Sequence, residues 1–266
     1  MLALEKINKG KYAEVNGIKM YYEDYGNGIP IILLHGGTST GQLNWSPYLP
    51  YLTPEYRVIV PDSRGHGKSN NPAGKLSYKL MCDDIIALIK NLELDHPFVV
   101  GYSDGGQIAL EIGIEYPEAA RSLVAGGVLC EKSEHYANNL RMMGMNGPGE
   151  VDFKKLEEKY PEYLPLLSGM HSSVYGPDYW KDLLINISKM WTNPDEFPGE
   201  RAAKISVPTL IMHGDRDSIP LEDPLRLYQM IPNSELAIIP SADHRAFTSR
   251  SNVYSNIILD FLKRHK

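Results

Sequence analysis

The segment Val99-Val100-Gly101-Tyr102-Ser103-Asp104-Gly105-Gly106 constrains this chain more than any other, because an apolar strand runs straight into a helix across a Gly-x-Ser-x-Gly turn. So sharp a turn needs glycines on both sides of the serine, letting the strand and helix backbones pass closely. The serine at its apex is held in a strained conformation with its hydroxyl projecting. The helix start also brings backbone N–H groups and the positive end of the helix dipole toward any negative charge that develops there. Those are the demands of a nucleophile. They are not those of a phosphate cradle, since neither a Walker lysine nor the dinucleotide glycine spacing is present.

The surrounding pattern places this turn in a layered α/β architecture. Apolar runs at Pro30-Ile31-Ile32-Leu33-Leu34, Val58-Ile59-Val60, Phe98-Val99-Val100, Ser122-Leu123-Val124-Ala125, Thr209-Leu210-Ile211-Met212 and Leu236-Ala237-Ile238-Ile239 read as strands buried on both faces. Asn16-Gly17 reads as a hairpin turn ahead of them. Between them, Leu80, Met81, Ile85, Leu88, Ile89 and Leu92 form one stripe of a helix over Tyr78–Leu92. Further helices are predicted over Gly105–Tyr116, ending before Pro117, and over Val253–Leu262. The rhythm breaks from about Glu131 to Glu200, where no buried strand stands out. Two helical stretches are predicted there, Asp152–Tyr160 and Pro177–Trp191, with Pro177 in a first turn. In the second, Trp180, Leu183, Leu184, Ile187 and Trp191 share a face.

A serine nucleophile needs a base, and the chain holds eight histidines. His265 is in the tail, His135 and His171 fall in the 131–200 segment, and His96 lies in a helix-to-strand loop. His66 sits in Asp62-Ser63-Arg64-Gly65-His66-Gly67, and His213 ends a strand before Gly214-Asp215-Arg216-Asp217. With the tail set aside, only His244, in the loop after the last apolar strand, has an acidic turn upstream of it and the serine upstream of that. For the acid, Asp217, Asp215 and Glu131 each follow a strand. Asp243 adjoins His244, and sequence neighbours rarely face one another in such a pair.

His35-Gly36, Asp62-Ser63-Arg64-Gly65-His66-Gly67-Lys68-Ser69, the serine elbow, Gly214-Asp215-Arg216-Asp217 and His244 together resemble the α/β-hydrolase family, across essentially the whole chain. The resemblance implies an α/β fold with a mostly parallel central sheet flanked by helices. A core domain is expected over 1–130 and 201–266, with a helical cap inserted at 131–200. It also implies the chain order serine, acid, histidine. The triad expected is therefore Ser103, Asp217 and His244, because related Gly-Asp-x-Asp turns use their second aspartate. Glu131 stands where some relatives carry the acid. The His-Gly loop implies an oxyanion hole built from the backbone N–H groups of Asp104 and Gly37, with Thr38 as the alternative to Gly37. His35 is expected to stabilise its turn, and Asp62 and Arg64 to brace the loop beside the site. Ser103 separates the chain from the dehalogenase and epoxide-hydrolase branches, which place an aspartate there.

Within the family, the Ser-Asp-Gly-Gly elbow is similar to that of the valacyclovir-hydrolase (biphenyl hydrolase-like) branch, although Tyr102 replaces a tryptophan. There the acidic residue after the nucleophile receives the α-amino group of amino-acid esters, which implies that Asp104 favours a cationic acyl part. The resulting expectation is a carboxylic-ester hydrolase acting on a small ester through an acyl-enzyme, with Asp104, Thr38 and Trp180 as substrate contacts. Two alternatives stand beside it: C–C bond hydrolysis of ring-cleavage products, and a non-catalytic ligand receptor on the same fold.

A net charge of −6, scattered rather than blocked, argues against nucleic acid and against a polybasic membrane contact. No run approaches a membrane span, and Met1–Lys6 lacks the apolar stretch of a signal peptide, so a cytoplasmic protein is expected. Cys82 and Cys130, the only cysteines, sit in apolar segments without metal-ligand spacing and read as buried free thiols. Neither a metal nor a cofactor is expected, and the sequence carries no signal for oligomeric state.

Overall fold

The computed structural model describes residues 10–266; the Met1–Lys6 stretch, read above as lacking an apolar leader, lies outside them. A hairpin opens the described chain, β1 (Lys11–Val15) pairing antiparallel with β2 (Ile18–Tyr25). Its turn has φ of 44° at Asn16 and 76° at Gly17, the double left-handed step that an Asn-Gly pair tolerates. There follow β3 (Ile29–Leu34), α1 (Gly41–Trp45), α2 (Leu49–Leu52), β4 (Tyr56–Pro61), α3 (Tyr78–Asn91), β5 (Phe98–Tyr102), α4 (Asp104–Glu115) and β6 (Leu123–Gly126). Then come α5 (Glu134–Met142), a short hairpin of β7 (Met145–Gly147) and β8 (Glu150–Val151), α6 (Phe153–Lys159), α7 (Tyr163–Tyr175) and α8 (Tyr179–Thr192). The chain returns through β9 (Thr209–Gly214), α9 (Glu222–Met230), β10 (Ser234–Ile239), α10 (Ala246–Ser249) and α11 (Ser251–Arg264).

Eight strands form one sheet in the order β1-β2-β4-β3-β5-β6-β9-β10. Every pair from β4 to β10 is parallel, and only β1 and β2 run against their neighbours. Both faces of the sheet are covered, which explains the continuous apolar runs. In β3, Ile32 and Leu34 pack with α3, α4 and α9, while Ile31 and Leu33 pack with α1, α2 and α11. Strand β5 divides the same way, with Val99 on the first side and Phe98, Val100 and Tyr102 on the second. Strand β5, which leads into Ser103, is thus in the middle of the sheet and its C-terminal end opens among loops.

The segment between β6 and β9 builds a small core of its own from Leu140, Leu156, Leu164, Leu167, Leu183, Leu184 and Ile187. Helices α5 and α7 were not anticipated. In α7 the buried stripe Leu164, Leu167, His171 has helical spacing, but it is interrupted by Ser168, Gly169, Ser172 and Ser173 and ends on a histidine. Pro177 precedes α8 rather than starting it, because Asp178 occupies the N-cap position.

The loop after β4 is braced from beneath. Arg64 makes two 2.6 Å hydrogen bonds to Asp84 on α3, with both side chains almost wholly buried. The Asp62 carboxylate accepts the Gly41 N–H at 2.9 Å and the Lys68 N–H at 3.0 Å. Arg64→Leu would leave the Asp84 charge buried and unpaired, so it should cost about 3–5 kcal/mol in a denaturant titration. Lys79→Ala, at the exposed Lys79–Asp83 pair, should cost less than about 1 kcal/mol in the same assay.

Candidate active site

Ser103 follows the last residue of β5 and caps α4, with φ of 55° and ψ of −121°. A left-handed serine is strained, and the site is built around that strain. A Cβ on Gly101 would lie 1.9 Å from the Gly105 carbonyl oxygen, and one on Gly105 would lie 2.1 Å from that of Leu34. Only glycine fits at either place. The Ser103 N–H donates to the Gly126 carbonyl at 2.8 Å, and its carbonyl accepts the Gln107 N–H at 3.0 Å, so the turn is fixed on both sides.

Three side chains meet at this turn. The Ser103 Oγ is 3.2 Å from His244 Nε2, and His244 Nδ1 is 2.9 Å from each carboxylate oxygen of Asp217. The Asp217 side chain is 1% exposed while that of His244 is 33% exposed, so the carboxylate is dry and the imidazole reaches the open side. Burial alone would raise the Asp217 carboxyl. The His244 hydrogen bond and charge, with the Ile219 N–H at 3.0 Å, outweigh it and hold the group below its usual value. An arrangement of this kind can move the serine proton onto His244 while the anion steadies the resulting imidazolium.

The loop after β3 passes over the serine. A Cβ on Gly36 would come 3.3 Å from Ser103 Cβ. The Gly36 carbonyl accepts from the Ser39 N–H at 3.1 Å and from His35 Nδ1 at 2.8 Å, while His35 Nε2 accepts the Ser63 N–H at 2.9 Å. His66 Nε2 lies 2.7 Å from the Gly37 carbonyl. With both carbonyls held, the N–H groups of Gly37 and Thr38 are turned away from them. Among the described residues neither these two nor the Asp104 N–H at the start of α4 finds an acceptor. Burial lowers the His35 pKa to about 4, which keeps that ring neutral in its bracing role. Thr38 itself is engaged by α7, its Oγ1 lying 2.8 Å from the Tyr163 hydroxyl.

Asp104 does not use its side chain as a helix cap. Its carboxylate accepts the Tyr78 hydroxyl at 2.8 Å and the Trp191 Nε1–H at 2.8 and 3.0 Å, and it lies under Gly37. Phe197 packs against Tyr78 and Tyr136 beside it. Burial pushes the Asp104 carboxyl up to about 6, against the opposing pull of those two donors. Among the described residues no lysine or arginine pairs with it.

Comparison with known proteins gives this geometry its context. Residues 31–254 match the model of the Alpha/beta hydrolase family. The chain belongs to that family. It is 26% identical over 265 residues to the 2-hydroxy-6-oxo-2,4-heptadienoate hydrolase of Pseudomonas putida, covering 95% of this chain and 96% of that protein. It is also 26% identical over 256 residues to Serine hydrolase BPHL of Mus musculus, covering 94% of this chain and 84% of the other. The latter is the branch to which the Ser-Asp-Gly-Gly elbow pointed. Among solved structures, the meta-cleavage product hydrolase of Pseudomonas fluorescens IP01 superposes with a TM-score of 0.78 at 22% identity, over 97% of this chain and 98% of that one. A thermophilic esterase from Thermogutta terrifontis gives 0.74 at 22%, over 97% and 100%.

In this alpha/beta hydrolase the other candidate residues are placed elsewhere. Asp215 accepts the Ala242 N–H at 3.3 Å, Glu131 pairs with Arg226, and Asp243 accepts the Arg245 N–H at 3.0 Å. His213 contacts the Ile219 carbonyl and His171 accepts the Gly67 N–H. Trp180, expected against the substrate, packs instead on Phe153 in the separate small core of the segment between β6 and β9. Trp191 lies on the same stripe of α8 but eleven residues on, about 16 Å along the axis, and it is the one that reaches the turn at Ser103 and Asp104. Tyr78, Tyr163 and Trp191 were not read as site residues from the sequence. Cys82 and Cys130 are buried and free. Among the described residues no three His, Cys, Asp or Glu side chains gather as a metal site, and no helix is long and apolar enough to cross a membrane.

Proposed function

We propose that this alpha/beta hydrolase cleaves small carboxylic esters through an acyl-enzyme on Ser103, and that it prefers esters whose acyl part carries an ammonium group. The first half rests on the Ser103 Oγ to His244 Nε2 contact of 3.2 Å on a strained elbow. His244 takes the serine proton as the oxygen attacks the acyl carbonyl, and the Asp217 carboxylate steadies the imidazolium. The N–H groups of Asp104 and Gly37 are assigned to the developing oxyanion. His244 returns the proton to the departing alcohol. Water then repeats the sequence on the acyl-enzyme, releasing the acid.

The second half rests on Asp104. Its carboxylate adjoins the nucleophile and has hydrogen bonds but no counter-ion among the described residues. A carboxylate offers about four acceptor sites, so Tyr78 and Trp191 leave room for another donor. A substrate ammonium would supply the missing charge in a dry, aromatic-walled site, where Coulomb attraction is strong. The alternative, C–C hydrolysis of ring-cleavage products, is favoured by the names of several dienoate hydrolases among the relatives. Those names describe dienoate anions, which the Asp104 charge would repel.

A three-way comparison of kcat/KM separates these readings, using aminoacyl esters, the same esters N-acetylated, and a 2-hydroxy-6-oxo-dienoate. The expected order is aminoacyl, then acetylated, then dienoate; a dienoate turned over best would overturn the ester reading. The preference for the free amine should also depend on pH. Below about 6 the Asp104 carboxyl is protonated and neutral, so the aminoacyl-to-acetylated ratio should rise as pH passes through that value. It should fall again once the substrate amine loses its proton. Asp104→Asn should flatten this profile and lower the ratio at pH 7 by about tenfold or more.

A further inference from the structure

Tyr102 precedes the nucleophile and takes no part in the steps above, yet its side chain is built into the histidine loop. Its hydroxyl donates to the main-chain carbonyl of His244. Its ring stacks on Phe247 at 3.9 Å between centroids and 13° between planes, and stands 5.1 Å from the His244 ring. The slot on its other side is cut from glycines: a Cβ on Gly126 or Gly127 would come 2.9 or 3.0 Å from the Tyr102 ring, and the one on Gly127 would also lie 3.1 Å from His244 Cε1. Phe247 is itself anchored, because the Tyr48 hydroxyl donates to its carbonyl at 2.5 Å and Trp45 packs edge-on against its ring.

We propose that Tyr102 is the positioning residue that sets the distance between Ser103 and His244. The two residues come from distant parts of the chain, 141 positions apart. His244 rides on the connection between β10 and α10, which has no regular structure of its own to locate it. The Tyr102 link closes a short circuit: Ser103 Oγ to His244 Nε2, the His244 carbonyl to the Tyr102 hydroxyl, and Tyr102 back to Ser103 through one peptide bond. The base is thereby referenced to the nucleophile's own backbone. Burial raises the phenol well above its ordinary value, so the hydroxyl remains a donor across the working range.

A misplacement of about 1 Å at a reacting pair can cost on the order of a hundredfold in rate. The inference rests on reading Ser103 and His244 as nucleophile and base, and its test is separable from theirs. In Tyr102→Phe, active-site titration with a fluorophosphonate should still count every molecule. The kcat per titrated site should fall about ten- to a hundredfold, with KM within about twofold and the inactivation rate constant reduced in step with kcat. If Tyr102 only supported the fold, fewer sites would titrate and each would keep its normal kcat; that outcome, or an unchanged kcat, overturns the proposal. Should Tyr102→Phe fail to fold, Phe247→Leu keeps the hydroxyl but removes the surface that aims it. It must then show the same loss confined to kcat. Ser103→Ala retaining activity would sink the underlying triad reading instead, whatever Tyr102→Phe does.

Discussion

Ser103→Ala and His244→Ala should each lower turnover by roughly a million-fold, and the double variant should be no worse than either alone. On the proposed mechanism the two side chains perform one event. A serine hydroxyl near neutral pH is a poor nucleophile unless its proton leaves as the oxygen attacks, and His244 Nε2 at 3.2 Å is the acceptor in place. Without the base the hydroxyl attacks at a negligible rate; without the hydroxyl the base has only water to activate, in a position shaped for a side chain. What survives in both variants is the binding of substrate and the polarisation of its carbonyl by backbone N–H groups, which together leave a residual rate above that of water. The measurement is kcat under saturating substrate on protein free of wild-type carry-over, with KM as the check that binding persists. Near-normal turnover by Ser103→Ala would refute the mechanism. A double variant much worse than either single one would show the two residues acting independently, contrary to the geometry.

The elbow was legible because its requirement is local. The five-residue pattern carries both glycines, and the 1.9 Å clearance from Gly101 to the Gly105 carbonyl is its local content, while the 2.1 Å clearance from Gly105 to the Leu34 carbonyl comes from the neighbouring strand β3. Strands buried on both faces were legible for the same reason: period-two packing on two helical layers leaves an uninterrupted apolar run. Long-range contacts were not. Trp191 shares the stripe that made Trp180 attractive, and helical periodicity fixes which face a residue occupies but not which end of the helix meets the site. The Tyr102 hydroxyl has its partner 142 positions away, and nothing in either segment announces the pairing. Helix α7 has no strong apolar stripe and is tied down by distant contacts, with His171, Ser173 and Tyr175 hydrogen-bonded to the loop holding Gly67 and Asn71.

Asp104 unites two demands on one residue. Its backbone N–H is at the first position of α4, where helix geometry leaves donors free for an oxyanion. Its side chain turns the other way, into the Tyr78 and Trp191 hydrogen bonds. Substitution there can therefore change substrate preference through the side chain while the backbone donor stays in place. This is why Asp104→Asn discriminates selectivity from catalysis.

Asp217→Asn should lower kcat by about ten thousand-fold, a loss second only to that of the serine or histidine. The carboxylate can only accept, so with both oxygens 2.9 Å from Nδ1 it obliges His244 to carry its proton there and leaves Nε2 bare to receive the serine proton. An asparagine amide can present an N–H to Nδ1 instead, which holds the ring in the opposite tautomer with Nε2 already protonated. The charge matters as well: the Asp217 side chain is 1% exposed, so its attraction for the imidazolium that forms in the transition state is little screened. Asp215→Asn is the matched control two residues away, carrying a carboxylate that accepts the Ala242 N–H, and it should change kcat by no more than a few-fold. Glu131→Gln tests the remaining position, and its Arg226 pair lies outside the serine–histidine line. Steady-state rates of the three variants assign the acid directly. If Asp217→Asn kept a tenth of the wild-type rate while Asp215→Asn or Glu131→Gln lost a thousandfold, the acid would be the other residue and the 2.9 Å contacts would not be those that work in catalysis.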